Sequence, residues 1–79
     1  MEKPLVTVNK NTKERYHFSI REYQGHKFVD VRLHFLADDE QSWHPTKKGI
    51  TVLPSLWRDF RAALDQVEAE LVRRKLIER

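Results

Sequence analysis

The stretch Phe18-Ser19-Ile20-Arg21-Glu22-Tyr23-Gln24-Gly25-His26-Lys27-Phe28-Val29-Asp30-Val31-Arg32-Leu33 decides the fold. Tyr16, Phe18 and Ile20 alternate with His17, Ser19 and Arg21, a period of two that predicts a half-buried strand. Gln24-Gly25 supplies the turn, because glycine takes positive φ without a Cβ clash. Val29, Val31, Leu33 and Phe35 then alternate with Phe28, Asp30, Arg32 and His34, and the valine content favours strand over helix. The pair puts basic and aromatic side chains on one surface. Such a surface suits a flexible, unpaired polyanion, whose phosphates meet Arg and Lys and whose bases meet aromatic rings.

On the N-terminal side, Leu5-Val6-Thr7-Val8 is a short alternating piece followed by a turn or loop at Asn9-Lys10-Asn11-Thr12-Lys13. Residues 1–15 thus read either as an edge strand or as a loose arm. Residues 16–79 read as the main domain. On the C-terminal side, Ala37-Asp38-Asp39-Glu40-Gln41 is a polar loop, Ser42-Trp43-His44 a candidate short strand, Pro45-Thr46-Lys47-Lys48-Gly49 a turn, and Ile50-Thr51-Val52-Leu53 a fourth strand. Pro54 opens a helix, since its fixed φ and missing N–H suit the first turn. Leu56, Trp57, Phe60, Ala63, Leu64, Val67 and Leu71 then form one apolar stripe about 120° wide on a helical wheel. Arg73-Arg74-Lys75 suits the negative end of the helix dipole.

The expected class is α+β: a small antiparallel sheet of about four strands, then one long C-terminal helix that covers one face of the sheet and leaves the other open. With 79 residues the chain is one domain at most, and so small a domain is only marginally stable alone. There is no Cys, so disulfides and thiolate metal sites are excluded. No apolar run is long enough to cross a membrane, and the N-terminus lacks a signal-peptide core. The expected compartment is the cytosol. The net charge of +3 is mildly basic, so the distribution of charge carries more weight than its total.

Catalysis finds little support. There is no Gly-rich phosphate loop, no Cys nucleophile and no Ser in a G-x-S-x-G setting. His17, His26, His34 and His44 lack close ligand spacing, so no metal and no cofactor are expected. Asp38-Asp39-Glu40 reads as a solvated acidic loop.

The ordered set Phe18-Ser19-Ile20-Arg21-Glu22-Tyr23, Gly25, Val29-Asp30-Val31-Arg32, Pro45-Thr46-Lys47-Lys48-Gly49-Ile50-Thr51 and Pro54-x-x-Trp57 resembles the single-stranded-DNA-binding domain of the transcriptional positive cofactor four (coactivator p15) family. The likeness spans residues 16–67. It implies a homodimer whose open surfaces bind unpaired or melted DNA without much sequence preference. The implied setting is transcription, replication or repair, with a nucleoid-associated location. The chain lacks the Ser-rich and acidic arm of eukaryotic members, so a compact bacterial or phage type is expected.

Carried over onto this chain, the resemblance implies DNA contacts at Arg21, Tyr23, Arg32, Lys47 and Lys48, with Phe35 as a stacking group. The family commonly has Lys at the position of Gln24, often Trp at Phe35, and a basic residue at His26. Strict alternation sets Phe35 on the face opposite Arg32, so it joins the site only if a bulge re-aims it. Trp57, Phe60, Leu64, Val67 and Leu71 are expected in the core or the dimer interface, whereas Trp43 either packs at the loop edge or stacks on a base. Arg21 and Arg32 read as phosphate clamps; cross-strand pairing with Glu22 or Asp30 neighbours, or simple solvation, is the competing reading. An RNA-binding or protein-interaction module on the same scaffold is the alternative function.

Overall fold

A computed structural model describes residues 3–78. Four strands, β1 (Val6–Asn9), β2 (Glu14–Tyr23), β3 (His26–Leu36) and β4 (Trp43–Val52), form one antiparallel sheet in the order β1-β2-β3-β4. A 3-10 turn at Pro54–Leu56 leads into the helix α1, Trp57–Arg73. The α+β class is as expected from the sequence.

The β2–β3 hairpin turns on Gln24 and Gly25, with φ of 52° and 81°. Positive φ at both central residues marks the turn that matches the natural twist of a hairpin. The register is unbroken from Tyr23↔His26 to Glu14↔Phe35. Of the two readings of the N-terminal piece the edge strand is the one realised, shifted by one residue to Val6–Asn9, with Val6 paired to Phe18 and Asn9 to Arg15.

The fourth strand corrects the sequence reading. Residues 43–52 form one strand rather than a short strand, a turn and a second strand. Arg32 pairs with Gly49 but His34 with Pro45, so β4 carries two extra residues in a bulge. The Thr46 hydroxyl donates to the Leu33 carbonyl at 2.9 Å, which pins the bulge to β3. Gly49 is required here: a Cβ would lie 2.5 Å from the Val31 carbonyl oxygen and 2.9 Å from the Arg32 Cα.

The register separates two faces. One carries Tyr16, Phe18, Ile20, Val29, Val31, Leu33, Ile50 and Val52; the other carries Arg15, His17, Ser19, Arg21, Asp30, Arg32 and Thr51. The expectation that α1 covers the apolar face is not met within one chain. The 3-10 turn packs on β3, no residue of α1 is buried, and Ile20 and Ile50 remain exposed on the sheet. Leu33 and Val52 are the buried apolar residues among those described. The stripe is amphipathic as expected, but α1 leaves the sheet after its first turn with Leu64 and Val67 about half exposed. The helix ends where Lys75 takes φ of 61°, with Leu76 N–H donating to the Leu71 carbonyl and Lys75 N–H to the Val72 carbonyl.

Candidate nucleic-acid interface

Odd positions of β2 place Arg15, His17, Arg21 and Tyr23 on the polar face, and even positions of β3 add Asp30, Arg32 and His34. At its centre Asp30, 4% exposed, faces two guanidinium groups. Arg32 donates from Nη2 to Asp30 Oδ1 at 3.0 Å and from Nε to Oδ2 at 3.4 Å. Its Nη1 donates to the Thr46 carbonyl at 3.1 Å. Arg21 stands further off, with Nη1 3.9 Å from Asp30 Oδ2 and its side chain more than half exposed. The cross-strand pairing with Asp30 that competed with a phosphate role is present as the long Arg21 contact, which leaves most of Arg21 to solvent. The close pair, two positions apart on β3, spends Arg32 on structure. Tyr23, 67% exposed at the hairpin end, offers an open ring beside Arg21.

The other residues expected at the site do not gather here. The unbroken β2–β3 register keeps Phe35 on the face of Leu33, opposite Arg32, where its ring lies 5.6 Å from that of His44. The bulge falls in β4 and re-aims nothing on β3. Lys47 and Lys48 are exposed on the edge strand β4, within the bulge instead of a hairpin tip. Lys48 rims a shallow hollow on the apolar side with Lys10, Tyr16 and Ile50. Trp57 lies at the head of α1, where it lines a second hollow with Leu5, Val6 and Ile20 and stacks near Phe60, their ring centroids 6.2 Å apart.

A second cluster at the opposite end of the polar face was not anticipated. The His17 and His34 rings stack in parallel, 3.7 Å between centroids. Arg15 Nε donates to His17 Nε2 at 2.7 Å, and the guanidinium carbon sits 4.1 Å over the Trp43 ring. Burial, then the charges of His34 and Arg15, push the His17 pKa down to about 4. His17 is therefore a neutral acceptor at neutral pH, as the bond from Arg15 requires. Trp43 packs, as one of its two sequence readings held. The sequence reading starts the strand at Tyr16 and so leaves Arg15 out; extending the same period of two by one residue places it with Arg21.

A four-stranded antiparallel sheet with one cationic, aromatic-tipped face, followed by a single amphipathic helix, defines the class of scaffold. The chain belongs to the Transcriptional Coactivator p15 (PC4) family, whose profile matches residues 10–63. A PC4 homologue from Burkholderia pseudomallei is 32% identical in an orthorhombic crystal form, with a TM-score of 0.77 over 84% of this chain and 88% of that one. Its tetragonal form gives a TM-score of 0.76 at the same identity, over 84% of this chain and 96% of that one. A bacteriophage T5 homologue of the eukaryotic transcription coactivator PC4, implicated in recombination-dependent DNA replication, is 20% identical, with a TM-score of 0.67 over 90% of this chain and 84% of that one. At that identity the likeness is one of fold. Comparison with curated proteins returned no match. The family is a DNA-binding one, and the compact bacterial or phage character expected from the sequence agrees with these relatives.

Proposed function

We propose that the chain is a homodimeric protein that binds single-stranded DNA without marked sequence preference, as a transcription cofactor or as an accessory factor of replication or repair. The observation that carries the reading is the joint placement of Arg21, Tyr23 and Arg32 on one open sheet face. A flat, accessible sheet with cations and one free ring fits a strand whose bases are splayed, and a stiff duplex would meet few of these groups. Arg21 and the exposed Lys47 hold phosphates, Tyr23 stacks on a base, and Arg32 orders the face through Asp30.

Apolar surface that one chain leaves open supports the dimer. Tyr16, Ile20 and Ile50 on the sheet and Leu64 and Val67 on α1 are exposed in a molecule with very few buried apolar residues among those described. A second copy, covering the sheet face with its own helix stripe, supplies the missing core. Trp57, Phe60, Leu64, Val67 and Leu71 belong to that shared interface.

The test is a titration of labelled single-stranded DNA, matched duplex and matched RNA with the wild-type protein at several salt concentrations. The expected result is tighter binding to the single strand than to duplex, weakening steeply with salt. Equal or absent binding contradicts the reading. Tighter binding to RNA moves the assignment to an RNA-binding module on the same scaffold.

A further inference from the structure

We propose that Arg15, held in place by Trp43 and His17, is a phosphodiester-binding site that extends the single-strand track along the polar face beyond Arg21. The inference rests on the single-strand reading above and adds a site to it.

The argument begins with charge. Arg21 and Arg32 share the carboxylate of Asp30. Arg15 lies on the same face, six residues along β2 from Arg21, or about 20 Å at the rise of an extended strand. Among the described residues no carboxylate lies within ion-pairing distance of Arg15. A guanidinium carries five N–H donors, and among the described residues only Nε–H is engaged, by His17. The N–H groups of Nη1 and Nη2 are left for a ligand that accepts two hydrogen bonds in one plane, as a phosphate oxygen pair does.

Preorganisation is the second element. A free arginine loses much rotamer entropy when it clamps an anion. Here the cation already lies over the Trp43 ring at 4.1 Å and its Nε is fixed by the bond to His17. The parallel stack of His34 on His17 holds that acceptor ring from its other side. All four side chains are at least half buried, in contrast to the solvated Lys47 and Lys48. Little order remains to be imposed when phosphate arrives. The ring contact also strips water from one face of the guanidinium, which strengthens its attraction to an anion.

The experiment uses the full chain and oligodeoxythymidylates of increasing length, with affinity read at several salt concentrations. Arg15→Ala is expected to weaken binding of the long oligomer about tenfold, the loss of one charge-assisted contact. The slope of log affinity against log salt should fall by about 0.7. The shortest oligomers that bind, confined to the Arg21–Tyr23 end, should be unaffected. Trp43→Leu keeps the charge but frees the guanidinium, so it should weaken the long oligomer by a smaller factor while leaving the salt slope unchanged. In the wild-type protein, bound long oligomer should shield Arg15 from an arginine-specific dicarbonyl reagent, a readout that survives if either variant unfolds. Unchanged affinity and slope in a folded Arg15→Ala protein, or equal modification of Arg15 with and without oligomer, overturns the proposal. If wild type binds no single strand at all, the functional reading fails instead.

Discussion

The Arg32 guanidinium lies along the buried carboxylate of Asp30, Nη2 3.0 Å from Oδ1 and Nε 3.4 Å from Oδ2, on the face proposed for nucleic acid. The two residues are neighbours on the same side of β3, two positions apart, so the strand period alone brings them together. The pair limits the positive potential at the centre of the face and directs the remaining charge outward to Arg21 and Arg15.

Asp30→Asn therefore has opposite effects on stability and on binding. Arg32 loses its counter-charge at a position where it is three-quarters buried. Breaking such a pair from one side costs about 2–3 kcal/mol, toward the lower end for a buried pair because Arg32 keeps some water. The same change adds one positive charge to the face, so the folded variant should bind single-stranded DNA more tightly at low salt. Urea denaturation and a low-salt titration check the two halves.

Gly49→Ala tests the close approach of β4 to β3. The added Cβ meets the Val31 carbonyl oxygen and the Arg32 Cα, both backbone atoms that no rotamer change moves aside. The expected loss is about 1–3 kcal/mol, as for other overpacked sites. The check is the urea midpoint, together with loss of amide protection at Val31 and Thr51.

Stability should fall with acid through His17. Its folded pKa is held near 4, below the ordinary 6.5, by burial and by the neighbouring charges of His34 and Arg15. Between those values the unfolded chain binds more protons than the folded one, so stability rises with pH across this window and is lost as pH drops from about 6.5 toward 4. His17→Gln should flatten that dependence. Thermal melts of both proteins at a series of pH values measure it.

The helix stripe should govern self-association. Val67→Asp places a carboxylate at the centre of the exposed apolar positions of α1, where a partner would bury it. Sedimentation should show a wild-type dimer and a variant shifted to monomer or unfolded chain. A wild-type protein that sediments as a monomer at all concentrations refutes the dimer.

The hairpin was legible because Tyr16 to Leu33 alternate cleanly about one Gly-containing turn, and the apolar helix positions were legible for the same reason of period. β4 was not, since Pro45 and Gly49 imitate a turn while tolerating a bulge on an edge strand. The helix's departure from the sheet was equally hidden: an apolar stripe announces burial but not whether the covering surface lies in the same chain. At the candidate site, strand parity sets Arg21, Tyr23 and Arg32 on one face and Phe35 on the other, while the proposed DNA contacts rest on the family resemblance. The Arg15–Trp43 contact was not, because it joins β2 to β4 through a β3–β4 register that only the folded chain discloses.

The most direct test of a strand-binding polar face is the double variant Arg21→Ala/Tyr23→Ala. Both side chains are well exposed, so the fold should survive their removal. Loss of one phosphate contact and one stacking ring, the latter worth about 1–3 kcal/mol, should weaken binding of a single-stranded oligonucleotide by tenfold or more. The salt slope should fall by about 0.7. A folded double variant that binds the single strand with wild-type affinity and wild-type slope would contradict the account.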